Sequence, residues 1–192
     1  MPPCARPTSI CSRNIGIEEE LFIEQEAIDL IKRNYTIVSG GAKGSDRTSE
    51  EVAIKNNVNL ILFLSSEMSK KITEPLVIKH IIDGKMLIFS ESIPNSHFKV
   101  FSAMDRNKYI YALSDFVIVA KCDYNKGGTW AGATEALKNN YSKVYLKDNK
   151  SHAFKALLDL GAYVYKEENY NINNKSKLVK QLSLFEDNFN KE

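Results

Sequence analysis

The stretch that decides the predicted fold is Tyr35-Thr36-Ile37-Val38-Ser39-Gly40-Gly41-Ala42-Lys43-Gly44-Ser45-Asp46. It begins with a short run of β-type residues that ends abruptly at closely spaced glycines. Ser45 or Asp46 can then cap a helix that continues to about Asn57. Val58 to Leu64 follows as a continuous apolar strand, of the kind that is buried on both faces of a parallel sheet. The stretch therefore predicts a strand, a glycine loop, a helix and a second strand in succession.

Helices and strands alternate on both sides of this unit. An amphipathic helix is predicted over 18–33, and its first turns are acidic. Beyond the unit we predict, in chain order, a helix at 74–83, a strand at 86–89, a polar loop at 90–102, a helix at 105–113, a strand at 116–120, a loop at 121–128, a helix at 130–139, a strand at 143–146, a helix at 151–160 and a strand at 163–165. Because such alternation implies right-handed crossovers, the predicted class is α/β: an extended Rossmann-like fold whose mainly parallel sheet carries helices on both faces. Residues 1–9 contain three prolines, so we expect the first strand, at 8–11, to be short or damaged.

Length and composition fit one soluble domain. The chain has 192 residues, of which 43% are hydrophobic and 26% are charged. We predict a folded domain over 1–166 and a polar, flexible C-terminal tail over 167–192. Apolar runs such as 60–64 are far too short to span a membrane, and residues 1–14 lack the apolar centre of a signal peptide, so we expect a cytoplasmic protein with no membrane partner. The three cysteines have no metal-ligand spacing, and we predict neither a metal nor a cofactor.

The formal net charge of +2 excludes a simple polycation, so any nucleic-acid site must be a local one. In doubly wound sheets, ligands bind in the loops beyond the carboxyl ends of the strands. The glycine loop at 39–46 suits an anion such as phosphate, because glycines let the backbone approach a ligand and Lys43 adds a positive charge. It matches neither Walker A nor G-x-G-x-x-G, so neither ATPase activity nor dinucleotide binding is predicted. The alternative is that the glycines only permit a tight turn.

Two later segments share this character. Asp105-Arg106-Asn107-Lys108 is predicted to open a helix, where the two cations can contact phosphate and the Asn can bond a base edge or brace a loop. The alternative is a solvated helix start. Lys126-Gly127-Gly128-Thr129-Trp130-Ala131-Gly132 again combines a cation with glycines, and Trp130 is either a stacking platform or a core residue. Three such loops at one sheet edge favour a ligand that contains phosphate.

Taken in order, these segments resemble the DNA-processing protein A (DprA/Smf) family over about residues 10 to 165. Ser12-Arg13-Asn14 is similar to the family's opening glycine-Ser-Arg turn, and 35–46 to its YTIVSGGAKG-x-D signature. The segment 105–115 resembles its R-N-x-x-I-x-x-L-S-D stretch, and 128–136 its G-S/T loop and helix. The chain departs from the pattern at Cys11, where the family usually has Gly, and at Gly132, which replaces a hydroxyl residue. We expect no counterpart of the helical N-terminal extension or the small winged C-terminal domain of longer members.

The resemblance implies a domain that binds single-stranded DNA without catalysis, forms a homodimer and delivers the strand to the recombinase RecA. The loops and the resemblance together give a set of candidate residues for binding DNA or phosphate. They are Arg13, Ser39, Gly40, Gly41, Lys43, Gly44, Arg106, Asn107, Lys108, Lys126 and Thr129.

The C-terminal tail carries the peptide Gln181-Leu182-Ser183-Leu184-Phe185. It matches the short peptide by which bacterial DNA-metabolism proteins dock on the replication sliding clamp. Leu182, Leu184 and Phe185 can fill apolar pockets, while Gln181 makes a directional hydrogen bond. The alternative is that this segment packs its own apolar residues onto the sheet.

Two other functions use the same kind of fold. Phosphoribohydrolases carry a P-G-G-x-G-T-x-x-E loop that 126–129 resembles together with Thr134 and Glu135, but the register differs by one residue and the proline is missing. We therefore interpret Glu135 as a helix-surface residue. The three histidines are scattered without a Ser or Cys partner at readable spacing, so no catalytic residue is predicted. A protein that senses a small nucleotide is the remaining alternative.

Overall fold

The computed structural model of the protein describes residues 8–10 and 15–166. Within them, seven strands form one sheet in which all neighbouring strands are parallel. In chain order they are β1 (Thr8–Ile10), β2 (Ile37–Ser39), β3 (Leu60–Leu64), β4 (Met86–Ser90), β5 (Phe116–Val119), β6 (Lys143–Leu146) and β7 (Tyr163–Val164). Their spatial order is β4-β3-β2-β1-β5-β6-β7, so the winding reverses at β1. This confirms the predicted Rossmann-like α/β class, and β1 is as short as expected.

Helices cover both faces of the sheet. They are α1 (Ile17–Lys32), α2 (Ser45–Lys55), α3 (Met68–Lys71), α4 (Pro75–Ile82), α5 (Val100–Leu113), α6 (Gly127–Asn139) and α7 (His152–Asp159). One apolar cluster joins α1, α2 and α4 to the sheet, and a second joins α5, α6 and α7 to it. Consecutive strand residues alternate between the two clusters: Ile37 belongs to the first and Val38 to the second. Burying each such side chain contributes roughly 1.5–3 kcal/mol to folding.

The structure corrects the prediction at two helix starts and adds one short helix. α5 begins at Val100, so Asp105 lies in its second turn and the segment 105–108 does not open the helix. α6 begins at Gly127, earlier than the predicted Trp130. The short α3 was not predicted. These turns are helical although the sequence around them is rich in polar residues or glycine. Tertiary contacts override the weak local propensity there.

A close contact between α5 and α6 explains the unusual Gly132. A Cβ atom at this position would lie 2.6 Å from Cε2 of Tyr111, whose ring is fully buried. Burial also raises the pKa of the Tyr111 hydroxyl far above its usual range. The glycine therefore lets α6 pack directly on an aromatic ring of α5, and this contact sets the position of two helices that border the site.

In the part of the chain that the structure describes, no helix is long and apolar enough to cross a membrane. The tail peptide Gln181 to Phe185 and the predicted boundary of the tail at 167 lie outside the described residues, as does Arg13.

Candidate functional site

A cavity of about 360 Å³ lies beyond the carboxyl ends of β2 and β5, the two strands that flank β1. Three segments line it: the loop at 40–44, through Ala42 and Lys43; the start of α5 with the residues before it; and the 126–129 turn, which is the first turn of α6 with the N-cap residue Lys126. The sequence singles out the first and the third of these segments, and its 105–108 segment shares Arg106 and Asn107 with the second. The reversal of winding at β1 brings them together, as expected for ligand sites in this fold class.

Arg106 lies beneath the 40–44 loop. Its side chain is 4% exposed, and Nη1 donates a 3.0 Å hydrogen bond to the backbone oxygen of Phe63 at the end of β3. The same atom lies 3.8 Å from a carboxylate oxygen of Asp46. A Cβ atom on Gly40 would lie only 1.4 Å from this nitrogen, so the guanidinium packs directly against the loop backbone. Arg106 therefore holds the loop from below and borders the cavity with little exposed surface.

Ser39 and Asp46 fix the two ends of the same loop. The Ser39 hydroxyl is fully buried; it donates to the backbone oxygen of Asp46 at 3.0 Å and accepts from the amide of Gly41 at 3.2 Å. The Asp46 carboxylate accepts from the amide of Ala42 at 3.3 Å. Gly41 and Gly44 have φ angles of +66° and +86°, which favour glycine. The loop is thus closed by hydrogen bonds at both ends before it meets any ligand.

The 126–129 turn is fastened more lightly. Asn107 in α5 donates through its side-chain amide to the backbone oxygen of Gly128 at 3.4 Å. Lys126 is the N-cap residue of α6 and is exposed, whereas Thr129 is buried at the cavity wall. Asn107 therefore braces this turn, which is one of the two roles that its residue type allows.

The comparison with known protein families agrees with this architecture. The model of the family described as DNA recombination-mediator protein A matches residues 7–176. The chain belongs to this family. No curated protein matches the chain.

Solved structures with the same fold include relatives from this family. DNA processing protein A from Helicobacter pylori, whose structure was solved to describe its single-stranded DNA binding mode, is 25% identical, with a TM-score of 0.68 over 86% of this chain and 78% of that one. DNA processing protein A from Streptococcus pneumoniae is 22% identical, with a TM-score of 0.69 over 84% of this chain. The alignment covers only 58% of the pneumococcal chain, less than two thirds of its length. The molybdenum cofactor binding protein from Rippkaea orientalis shares the fold at 14% identity and a TM-score of 0.61, over 95% of this chain and 99% of that one.

Two lysines give this family member an accessible positive charge at the cavity. Lys43 and Lys126 line the cavity from different loops, are exposed, and form no ion pair with any residue that the structure describes. The cavity also has two acids, Asp46, which contacts Arg106, and Asp123. The cations that face solvent are thus the lysines.

Lys108 differs from the other candidate cations. It is absent from the cavity wall and lies 3.0 Å from Asp105 and 3.8 Å from Glu135. The hydrogen bond that this lysine donates to the Asp105 carboxylate raises its pKa. The side chain is paired between α5 and α6, so its contact with phosphate stays a prediction that this cavity does not support. The candidate Ser39 is likewise enclosed within the loop and has no exposed surface.

An apolar wall of the cavity escaped the sequence analysis. Phe98, Val100 and Met104 line it, and they are 45%, 67% and 43% exposed. The polar surroundings of Phe98 in 90–102 hid it. A usable signal was present, since an aromatic side chain in a polar loop just before a cationic helix is a candidate for stacking on a base.

A second cavity of about 370 Å³ lies on the other side of the 40–44 loop. Ala42, Lys43, Phe98 and Arg106 line both cavities, so the loop divides them. In the second cavity, Lys71 lies 2.5 Å from the buried carboxylate of Glu50. Burial raises the pKa of that carboxyl group, and the hydrogen bond from the lysine opposes the rise. The charge of Lys71 is thus paired with a carboxylate of the protein itself.

Of the residues that resemble a phosphoribohydrolase motif, 126–129 line the cavity, whereas Thr134 and Glu135 do not. Thr134 donates to the backbone oxygens of Trp130 and Ala131, and Glu135 faces Lys108 on the outside of α6. Among the described residues, no group of three or more His, Cys, Asp and Glu side chains is placed to hold a metal ion. The cavity offers cations, backbone and an apolar wall, which is chemistry suited to binding.

Proposed function

We propose that the protein binds single-stranded DNA in the cavity between the 40–44 loop and the 126–129 turn, and that it catalyses no reaction on the strand. The observation that carries this proposal is the pairing of exposed Lys43 and Lys126 with an apolar wall that includes Phe98. Lysines attract the phosphate backbone, and an aromatic ring can stack on a base whatever its sequence.

The apolar wall favours a single strand over a duplex. In a duplex the base faces are stacked on one another, whereas a single strand can turn a base face toward Phe98. Two helices, α2 and α6, also begin at the cavity, and their N-termini favour anions. The description of the Helicobacter pylori relative as a single-stranded DNA binder supports the same assignment.

Within this proposal, the protein acts in DNA processing and recombination. We further propose that it forms a homodimer, hands the strand to a recombinase of the RecA type and docks on the sliding clamp through Gln181, Leu182, Leu184 and Phe185 of its tail. These partner assignments extend the family membership and the tail motif. The division into a domain over 1–166 and a tail over 167–192 belongs to the same proposal.

A titration of a fluorescently labelled oligothymidylate, followed by anisotropy at several salt concentrations, tests the binding function. We expect binding that weakens as salt rises, with a slope of about −0.7 in log K against log salt for each phosphate contact. A duplex of the same length should bind more weakly. Mononucleotides and duplex DNA serve as competitors. If the oligothymidylate does not bind at low salt, or if a mononucleotide displaces it at equal concentration, the site belongs to a small nucleotide instead.

A further inference from the structure

An aromatic stack lies beside the cavity, beyond Lys126. It consists of Tyr124 from the loop after β5, Trp130 from the first turn of α6, and His152, the first residue of α7. The Tyr124 and His152 rings are stacked with centroids 4.0 Å apart and planes inclined by 25°. The Trp130 ring meets Tyr124 edge-on at 4.8 Å. Three separate segments of chain thus converge on one set of rings at the same sheet edge as the cavity.

Two rings of this stack, the middle one and the one from α7, face solvent. Tyr124 is 41% exposed, and His152 is exposed as well. One face of the imidazole covers Tyr124, which leaves its other face open. Trp130 is half-buried and packs against the apolar cluster of α5, α6 and α7, so it anchors the stack to the core. This packing fits the core role predicted for Trp130, since the exposed ring is that of His152 and the tryptophan packs on the Tyr124 ring between them.

Exposed cations flank the open ring. Lys150 precedes α7, and Lys155 lies one turn after His152 on the same side of the helix. Both are exposed, and neither forms an ion pair with a residue in the described part of the chain. Asp148 is one of the nearby acids, and its carboxylate accepts a hydrogen bond from the amide of Lys150. An exposed aromatic ring between two lysines is the combination that sequence-independent binding of single strands uses.

We propose that His152, supported by Tyr124, is a second base-stacking position for the strand that leaves the cavity past Lys126, with Lys150 and Lys155 on its phosphates. The inference rests on the proposed binding of single-stranded DNA in the cavity, and it extends that binding surface across the loops after β5 and β6. It predicts that the gain in affinity with oligonucleotide length has two sources, the cavity for short strands and the aromatic stack for longer ones.

The test is a length series of oligothymidylates, from about 4 to about 16 nucleotides, titrated against the wild type and His152→Ala. For long oligonucleotides we expect His152→Ala to weaken binding by about fivefold or more, which corresponds to the loss of one stacked base. The shortest oligonucleotides, which occupy the cavity alone, should bind both proteins equally. His152→Phe should restore the affinity for long strands, because it keeps an aromatic ring at this position. Leu160→Ala, an exposed change at the other end of α7, serves as the control.

The outcomes separate the two proposals. Equal affinities of the wild type and His152→Ala at every length overturn the second stacking position and leave the cavity function intact. A loss that is the same at all lengths, or that His152→Phe does not restore, also overturns it, because the histidine would then act by shaping the protein. If the wild type binds no oligonucleotide at all, the cavity function fails and the second position fails with it.

Discussion

The 40–44 loop and the 126–129 turn contain similar residues but are held in different ways. Beneath the first lies a buried guanidinium, that of Arg106, which contacts the Phe63 carbonyl and the Asp46 carboxylate. The second is joined to α5 by a single half-buried hydrogen bond of 3.4 Å, from Asn107 to Gly128. Side-chain bonds therefore hold the first segment more firmly than the second, which is otherwise positioned by the packing of α6 on α5.

The difference shows how burial divides the roles of cations at one site. A guanidinium that is 4% exposed and faces a carboxylate stabilises the loop that it supports, and it influences a ligand through the shape of that loop. Exposed Lys43 and Lys126 keep their charge available to a ligand. Charge in the sequence is thus a poor measure of charge that a ligand meets.

The largest expected effect comes from placing a methyl group under the supported loop. In Gly40→Ala the new Cβ would lie 1.4 Å from Nη1 of Arg106 and 2.6 Å from the Asp46 carboxylate, so the guanidinium must leave its site. Breaking a buried ion pair costs about 3–5 kcal/mol, and we expect a loss of this order in the free energy of unfolding, measured with urea. Binding of oligothymidylate should be lost with it.

Gly128→Ala is the matched change in the other segment. Its Cβ would lie 3.1 Å from the side-chain nitrogen of Asn107, which needs to move by only a few tenths of an ångström. Alanine also favours the first turn of α6 over glycine. We expect the free energy of unfolding to change by less than about 1 kcal/mol. Similar losses in the two variants would contradict the contrast between the segments.

The sequence was sufficient for the fold because alternating helices and strands leave few topologies for a parallel sheet. It was also sufficient to place Lys43 and Lys126 at the cavity, because glycine-rich segments that follow strands lie at the sheet edge where ligands bind. It was not sufficient for Arg106, since its burial depends on where α5 begins. The polar segment 90–102 conceals the helical turn at Val100, which moves Arg106 from an apparent helix start to the second turn beneath Gly40. The residue at which α5 begins depends on tertiary packing, which local residue patterns do not encode.

A smaller effect is expected from removing one hydrogen-bonding side chain on each side. Ser39→Ala deletes a fully buried hydroxyl and removes the acceptor of the Gly41 amide and one of the donors to the Asp46 carbonyl, which keeps its bond from Ser49. We expect a cost of about 1–3 kcal/mol in urea unfolding. Asn107→Ala removes a longer and half-buried bond, and we expect about 1 kcal/mol or less. If Asn107→Ala lowered the free energy of unfolding more than Ser39→Ala does, the 126–129 turn, and not the 40–44 loop, would be the more firmly held segment.

The smallest effect on stability, and the most specific effect on binding, is expected from Lys43→Ala and Lys126→Ala. Both side chains are exposed and form no ion pair with a described residue, so each variant should unfold within about 0.5 kcal/mol of the wild type. Each should nevertheless weaken oligothymidylate binding and reduce the salt slope by about 0.7, since one phosphate contact is lost. Lys108→Ala is the control, because it removes the same charge from a position that is paired to Asp105 outside the cavity wall. If this variant reduced the salt slope as much as Lys43→Ala does, the strand would respond to the general charge of the surface, and the division between a supporting cation and two ligand-facing ones would be wrong.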